Sequence, residues 1–172
     1  MGMEWAWLIP SVCVGAFLGI VFIGRSLPGQ GAFLAIVAIA AAFAMFWFVM
    51  ADQIKDGVGI FERLWFEAGD VDIHLGMAVD ELTIVMLGLV TAVALAVQVY
   101  SVGYMKGDSR FGWYFAVHAL FAASMLTLVL ADNLLLLYAV WELVGVCSYL
   151  LIGFWYERTS ASEAAKKAFI VT

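Results

Sequence analysis

The chain has 172 residues, of which 66% are hydrophobic and 13% are charged, and its mean hydropathy is +1.04. This balance excludes an ordinary soluble globular domain and predicts a membrane protein. The net charge of -6 comes mostly from acids within one loop, so the composition gives no support for nucleic-acid binding.

Five apolar runs of about 20 residues are long enough to cross a hydrocarbon core of about 30 Å as helices. The sequence therefore predicts an all-α polytopic membrane bundle in contact with lipid. Its spans are expected at residues 5–23, 32–51, 82–105, 111–131 and 134–156.

The two ends of the chain also carry predictions. Met1 to Pro10 contains no Lys or Arg, unlike a cleaved signal peptide, so the first span should remain in the mature protein. A sixth, truncated helix is predicted to begin at Ser162. The chain stops within the apolar stretch Phe169 to Thr172, and we expect further sequence or a neighbouring subunit to cover that end, because lipid does not satisfy open backbone carbonyls.

Two connections have recognisable patterns. The Gly and Pro residues between Gly24 and Gly31 predict a short turn that makes the first two spans an antiparallel hairpin. The polar loop 52–81 contains an alternation of apolar with polar or small residues from Val71 to Asp80, which is typical of a strand. With Leu64 to Phe66 and the turn residues 68–70 before it, this segment predicts a small β-hairpin at the membrane surface.

The cationic side chains of the connections predict the orientation. Six lie on one side and two, Lys55 and Arg63, on the other, and an excess of Lys and Arg marks the cytoplasmic side. The N-terminus and the acidic hairpin loop should therefore be extracytoplasmic. The six are Arg25, Lys106, Arg110, Arg158, Lys166 and Lys167.

Glu142 is the residue that most strongly suggests chemistry, because it lies in the apolar run from Leu134 to Trp155. A charge at the centre of a bilayer costs at least about 2.5 kcal/mol on insertion scales, so such residues usually face a bundle interior or an aqueous path. On a helical wheel Glu142 shares a stripe with Tyr138, Tyr149 and small residues such as Gly145 and Gly153. Small residues permit close helix approach, and the phenols can hydrogen-bond the carboxylate or waters beside it.

A stripe of this kind favours a bundle-facing Glu142 that loads and unloads protons. Burial promotes the protonated form of a carboxyl group and a nearby cation promotes the ionised form. The alternative is a structural Glu held by one interhelical hydrogen bond. A neutral Gln would do that work at lower cost, which favours the functional interpretation.

Four further residues are weaker candidates. His118 lies in the fourth span, where a helix contact is favoured over a place in a proton relay. Asp132 and Asn133 are interpreted as turn and helix-capping residues. Lys167 beside Lys166 is either an interfacial anchor or a cation that tunes a carboxylate.

Other kinds of site are not predicted. The chain has no Gly-rich phosphate loop, no Cys-x-x-Cys pair and no Ser-His-Asp arrangement, and His74 and His118 are isolated from plausible co-ligands. Cys13 and Cys147 fall within apolar spans and are expected to be small buried hydrophobes. We therefore expect no metal and no cofactor in this chain.

The stretch Val129 to Trp155, with the Trp141-Glu142 pair and the continuation Gly145-Val-Cys-Ser-Tyr-Leu-Leu-Ile-Gly-Phe154, closely resembles the fifth span of the L subunit of respiratory NADH:quinone oxidoreductase, complex I. Ala164 to Thr172 resembles the segment that follows it. The resemblance is most specific over residues 100–172 and collinear before them. The large subunit of multisubunit sodium/proton antiporters shares the Trp-Glu pair.

The resemblance implies that residues 1–172 are the N-terminal portion of one antiporter-like domain. In such subunits the glutamate matching Glu142 pairs with a lysine two spans later, and lysine, histidine and acidic residues carry protons with water. It also implies a bacterial plasma membrane and contact with other membrane-arm subunits, especially a neighbouring antiporter-like one. FMN, iron-sulfur clusters and quinone are expected in other subunits.

Two alternatives stay open. One is a sodium/proton antiporter subunit with no link to NADH, which would function without peripheral flavin and iron-sulfur partners. The other is a scaffold fragment that carries out no transport of its own.

Overall fold

The computed structural model describes residues 3–68 and 71–171, and its architecture is the predicted all-α membrane bundle with a small hairpin. Five helices in the described residues are long and apolar enough to cross a membrane. They are α1 (Leu8–Ile23), α2 (Ala32–Asp56), α3 (Glu81–Tyr104), α4 (Phe111–Leu130) and α5 (Leu134–Ile152), followed by the shorter α6 (Thr159–Val171). Strands β1 (Gly59–Ala68) and β2 (Val71–Val79) lie between α2 and α3.

Helix α4 is the centre of the bundle, since it packs against α1, α2, α3 and α5. Four of its buried positions are alanines, which permit close approach of the neighbouring helices. Helix α6 packs against α5 at the edge. The four buried alanines of α4 are Ala116, Ala119, Ala122 and Ala123.

Because successive long helices run in opposite directions, the connections divide between two ends. The hairpin end carries Met3, the strands and the turn 131–133 between α4 and α5. The Arg110 end carries the connections after α1, α3 and α5, which include Lys106, Arg110 and Arg158.

The β-hairpin is confirmed. Strands β1 and β2 pair antiparallel from Gly59 opposite Val79 to Ala68 opposite Val71, with an irregularity between Leu64 and Phe66. The predicted turn residues Gly69 and Asp70 lie outside the described residues.

The hairpin is fastened to the bundle through β2. Met77 forms a bridge with Ala131 in the turn after α4, and the Asp132 N-H donates to the Gly76 carbonyl at 3.4 Å. Gly76 is required there, because a Cβ would run into the Asp132 carboxylate. The loop is thus held against the helix turn that leads into α5.

Three predicted boundaries were wrong. Helix α2 continues through the polar residues to Asp56, because Gln53 is buried and Gly57, at φ 80°, is the first position to end the helix. Helix α5 ends at Ile152 rather than Tyr156, since the chain turns at Gly153 while the sequence is still apolar. Helix α6 begins at Thr159, three residues before Ser162.

Candidate functional site

Glu142 lies nine residues into α5, within the apolar span, and its side chain is exposed. Helix α5 contacts the bundle through Gly145 and Cys147, its two buried residues, and Gly145 belongs to the predicted stripe. Among the described residues no side chain hydrogen-bonds or ion-pairs with Glu142. The helices described here therefore leave this carboxylate uncovered, instead of providing the bundle interior that the helical wheel predicts for it.

Tyr138 stands one helical turn before Glu142 on the same exposed face and is 64% exposed. Tyr149, two turns after Glu142, is 39% exposed and packs edge to face on Phe169 of α6. Gly153 meets α6 closely, because a Cβ there would lie 3.1 Å from the Ala165 Cβ. The predicted stripe is thus divided: Tyr138 stays beside the open carboxylate, and Tyr149 and Gly153 contact α6.

His118 is buried in α4 and faces α3. Its Nδ1 lies 3.2 Å from the Nε2 of Gln98, which is fully buried. One turn nearer the Arg110 end, the hydroxyls of Ser101 and Tyr114 are 2.9 Å apart. The predicted helix contact of His118 is therefore present, and sequence reasoning did not identify Gln98 as its partner.

The interpretation of the turn between α4 and α5 as a cap is confirmed. Asn133 is the N-cap of α5, and its Oδ1 accepts a hydrogen bond from the Leu136 N-H at 2.9 Å. Its Nδ2 donates to the His74 carbonyl at 3.1 Å and to Asp132 Oδ1 at 2.8 Å. The Asn133 side chain thus caps the first turn of α5 and also hydrogen-bonds the backbone of β2.

Lys166 and Lys167 are exposed on α6 at the edge of the bundle. A cavity of 310 Å³ lies between the start of α4, the end of α5 and α6, and its lining includes Arg110, Trp113 and Tyr149. Neither lysine is among the residues that line it. Lys167 also has no hydrogen bond or ion pair with another candidate residue in the described part of the chain.

A polar cluster at the Arg110 end was not predicted. Trp155 Nε1 donates to Asp108 Oδ2 at 2.9 Å, and the Arg110 N-H donates to Asp108 Oδ1 at 2.8 Å. The Arg110 guanidinium pairs with Glu157 at 3.1 Å. The same guanidinium lies 5.0 Å from the ring centroid of Phe154.

These contacts lower two pKa values. The hydrogen bond from the Arg110 N-H, then that from Trp155, then the Arg110 charge, lower the pKa of Asp108. The pKa of Glu157 is lowered first by its own backbone N-H and then by Arg110. Both carboxylates stay ionised at neutral pH. The cluster is consequently a charged clasp between the connection after α3 and the turn after α5.

Within the described residues no group of three or more His, Cys, Asp or Glu side chains could hold a metal ion. Cys13 and Cys147 are free, buried thiols.

Two family models match the chain. Residues 65–115 match the family described as NADH-ubiquinone oxidoreductase (complex I), chain 5 N-terminus. Residues 131–172, which include Glu142, match the family described as the transmembrane part of NADH:quinone oxidoreductase and Mrp antiporters.

Curated relatives match almost the whole chain. F420H2 dehydrogenase subunit L of Methanosarcina mazei is 44% identical over 171 residues, which are 98% of this chain and 25% of the relative. Subunit 5 of the NAD(P)H-quinone oxidoreductase of Paulinella chromatophora is 44% identical over 98% of this chain and 27% of its own length. NADH-quinone oxidoreductase subunit L of Mycobacterium tuberculosis is 39% identical over 99% of this chain and 28% of its own length. The chain spans about a quarter of the length of these relatives.

Proposed function

The chain belongs to the subunit L, or chain 5, family of antiporter-like membrane subunits of NADH:quinone oxidoreductase and related complexes, and from this premise we propose that it forms part of a proton-translocating subunit. The subunit would couple quinone reduction elsewhere in the complex to proton movement across the membrane. The observation that carries the proposal is the position of Glu142, an ionisable side chain in the apolar span α5.

Glu142 would be the protonatable half of an ion pair. Its cost within a bilayer, about 2.5 kcal/mol or more, demands a compensating partner. The described helices provide none, and the face that bears Glu142 and Tyr138 is open. We propose that a lysine-bearing helix from beyond the 172 residues covers this face and that Tyr138 orients the carboxylate or a water beside it.

The other candidate residues have smaller parts in the proposal. Tyr149 supports α6 through Phe169 and would reach water near Glu142. Lys167, exposed on α6, would be a cation at the surface that another subunit or helix meets. Neither position by itself distinguishes a transport role from a packing role, so Glu142 is the residue to test first.

Electron transfer would take place in other subunits. The relatives are named after different donors, F420H2, NAD(P)H and NADH, while the membrane subunit remains recognisable among them. The part that they share with this chain is consequently independent of the donor. FMN, iron-sulfur clusters and the quinone site would belong to partner subunits, and a neighbouring antiporter-like subunit would be one contact within the membrane arm.

The proposed location is a bacterial plasma membrane, with the Arg110 end in the cytoplasm and the N-terminus outside. The charge distribution supports this orientation, because Lys106, Arg110 and Arg158 all lie at the Arg110 end. Protons would then be taken up at the Arg110 end and released at the hairpin end.

The test is Glu142→Gln in the full-length subunit, assembled in its complex and reconstituted in sealed vesicles. The amide keeps the shape of the side chain but cannot carry a proton, so the ratio of protons moved to electrons transferred should fall. Glu163→Gln is the matched control, because Glu163 is an exposed carboxylate on α6 outside the five long helices. An unchanged ratio in Glu142→Gln at full quinone reduction would refute the proposal.

A sodium/proton antiporter is the second candidate, because the family that matches residues 131–172 includes Mrp antiporters. Purification distinguishes the two. Recovery of the subunit with peripheral flavin and iron-sulfur proteins supports the respiratory complex, whereas rescue of sodium sensitivity without those proteins supports the antiporter.

A further inference from the structure

Most hydroxyls buried in the bundle satisfy their hydrogen bonds within their own helix. Thr91 donates to the Leu87 carbonyl at 2.6 Å, and Ser124 donates to the Leu120 carbonyl at 2.8 Å. In each of these bonds the hydroxyl proton is satisfied by a carbonyl of the same helix. Ser101 of α3 likewise donates to the Val97 carbonyl at 2.7 Å, but its oxygen also meets the hydroxyl of Tyr114 on α4.

Two pairs of side chains cross from α3 to α4, and we call their four residues the α3–α4 seam. Ser101 and Tyr114 form the pair nearer the Arg110 end, with their oxygens 2.9 Å apart. Gln98 and His118 form the second pair, about one turn deeper, with nitrogens 3.2 Å apart. The rings of Tyr114 and His118 have centroids 6.0 Å apart, so the two pairs are adjacent layers.

The seam runs from the edge of the bundle into its interior. Tyr114 is partly exposed, three residues after the start of α4, whereas Ser101 and His118 are 2% and 6% exposed and Gln98 is 0% exposed. A row of polar groups that begins at a water-facing end and continues into an apolar bundle is the arrangement that hydrated proton paths use.

One atom of the seam is unsatisfied. The Gln98 Oε1 is buried and has no hydrogen-bond partner among the described residues. An unpaired carbonyl oxygen in such a place is destabilising, and a bound water would supply the missing hydrogen bond. The amide can also turn over, which would set Oε1 instead of Nε2 against His118 Nδ1.

The two amide orientations suit two protonation states of His118. With Nε2 facing the ring, the amide donates to a neutral Nδ1 lone pair. With Oε1 facing the ring, it accepts the N-H of an imidazolium. Gln98 can therefore hydrogen-bond His118 before and after proton uptake, which a side chain that only donates cannot do.

We propose that the α3–α4 seam is a proton-relay segment, in which Tyr114 and Ser101 pass protons from the Arg110 end to His118 and Gln98 positions the ring in both states. This inference rests on the proposed function, because it assigns a second relay to a proton-translocating subunit. It adds to Glu142 a site that lies on α3 and α4 instead of α5.

Each transfer leaves the chain unchanged. A water at the Arg110 end gives a proton to the Tyr114 oxygen, which releases its own hydroxyl proton to the Ser101 oxygen. Ser101 then turns its original hydroxyl proton away from the Val97 carbonyl and releases it to the next acceptor. His118 takes a proton at Nδ1 as the Gln98 amide turns, and then releases one to water. The bonds formed and broken are O-H and N-H bonds, and no electron moves.

The test compares the wild-type full-length subunit with His118→Asn and Tyr114→Phe, each in the intact complex in sealed vesicles. Both variants should lower the proton-to-electron ratio. The exchange variant, Gln98→His combined with His118→Gln, puts one imidazole and one amide back into the seam. It should restore the wild-type proton-to-electron ratio. Thr91→Val and Ser124→Ala are the matched controls and should keep the wild-type ratio, because their hydroxyls donate to Leu87 and Leu120 and not to a residue of the seam.

Several outcomes would overturn the proposal. Wild-type ratios in both single variants would do so, and so would an exchange variant as impaired as His118→Asn, which would assign the pair to packing. If His118→Asn fails to assemble, Tyr114→Phe and Ser101→Ala remain decisive because each deletes a single oxygen. Glu142→Gln measured in parallel separates the two proposals. If Glu142→Gln lowers the proton-to-electron ratio while the seam variants keep the wild-type ratio, only the seam proposal is rejected. If Glu142→Gln keeps the wild-type ratio, the proposed function is rejected.

Discussion

The indole Nε1 of Trp155 donates a 2.9 Å hydrogen bond to the carboxylate of Asp108, a residue 47 positions earlier in the chain. Asp108 lies in the connection between α3 and α4, and Trp155 lies in the turn between α5 and α6. The contact therefore holds together two connections at the Arg110 end. It also explains why α5 ends before the apolar sequence does, since the turn is what brings the indole to Asp108.

Trp155→Phe should weaken this clasp in a pH-dependent way. The phenyl ring keeps most of the apolar contact but has no donor, so the pKa of Asp108 should rise toward its ordinary value of 3.8. A lowered folded-state pKa contributes stability above the unfolded value, and that stability is lost as the pH falls through the folded value. The thermal unfolding midpoint of the variant should thus lie below that of the wild type at neutral pH, and the gap should close below pH 3.8.

Trp113→Phe is the control for that comparison. Trp113 is 47% exposed near the start of α4, on the same end of the bundle. Trp113→Phe should show no difference in unfolding midpoint from the wild type that disappears in acid. A Trp155→Phe gap of constant size down to pH 3 would show that lost packing, and not the Asp108 carboxylate, is responsible.

Gly76→Ala should release the hairpin from the bundle. The added Cβ meets the Asp132 carboxylate, and relief requires β2 or the turn after α4 to move, at a cost of about 1–3 kcal/mol. Hydrogen exchange in the intact complex should become faster in β2 and at the start of α5. Gly103→Ala is the matched control because a Cβ there meets nothing within 4 Å, and its exchange pattern should match the wild type.

Asn133→Ala should fray the first turn of α5. The variant loses the acceptor for the Leu136 N-H and the donor to the His74 carbonyl, and loss of an N-cap costs about 1 kcal/mol. Exchange of the Leu136 amide should accelerate while amides near Gly145 stay protected. Asn133→Asp restores the cap acceptor but not the amide donor, so it should recover the protection of Leu136 alone. Equal protection in all three proteins would contradict the assigned cap.

Local patterns predicted the elements of this fold well. Hydropathy located the five spans, the period of two located β2, and Asn133 before an apolar run identified the start of α5. In each case the signal lies in a few neighbouring residues. The corresponding contact in the structure is also local, as in the hydrogen bond from the Leu136 N-H to the Asn133 Oδ1.

Contacts between distant residues were not predictable in the same way. Gln98 lies 20 residues from His118, and nothing in the local sequence of either residue indicates the other. The clasp between Asp108 and Trp155 was missed for the same reason. The end of α5 was misplaced because hydropathy continues through Phe154 and Trp155, where tertiary contacts and not polarity determine the turn.

Tyr138→Phe examines the proposed surroundings of Glu142 without changing the carboxylate. The phenol stands one turn from Glu142 on the open face of α5, so it can donate to the ionised form or hold a water beside it. Removing its hydroxyl should lower the proton-to-electron ratio less than Glu142→Gln does, because the proton carrier remains. Tyr100→Phe is the control, since Tyr100 is 70% exposed on α3 and stacks on Tyr104. A ratio in Tyr138→Phe equal to that of Tyr100→Phe and the wild type would remove Tyr138 from the site and leave Glu142 oriented by residues outside α5.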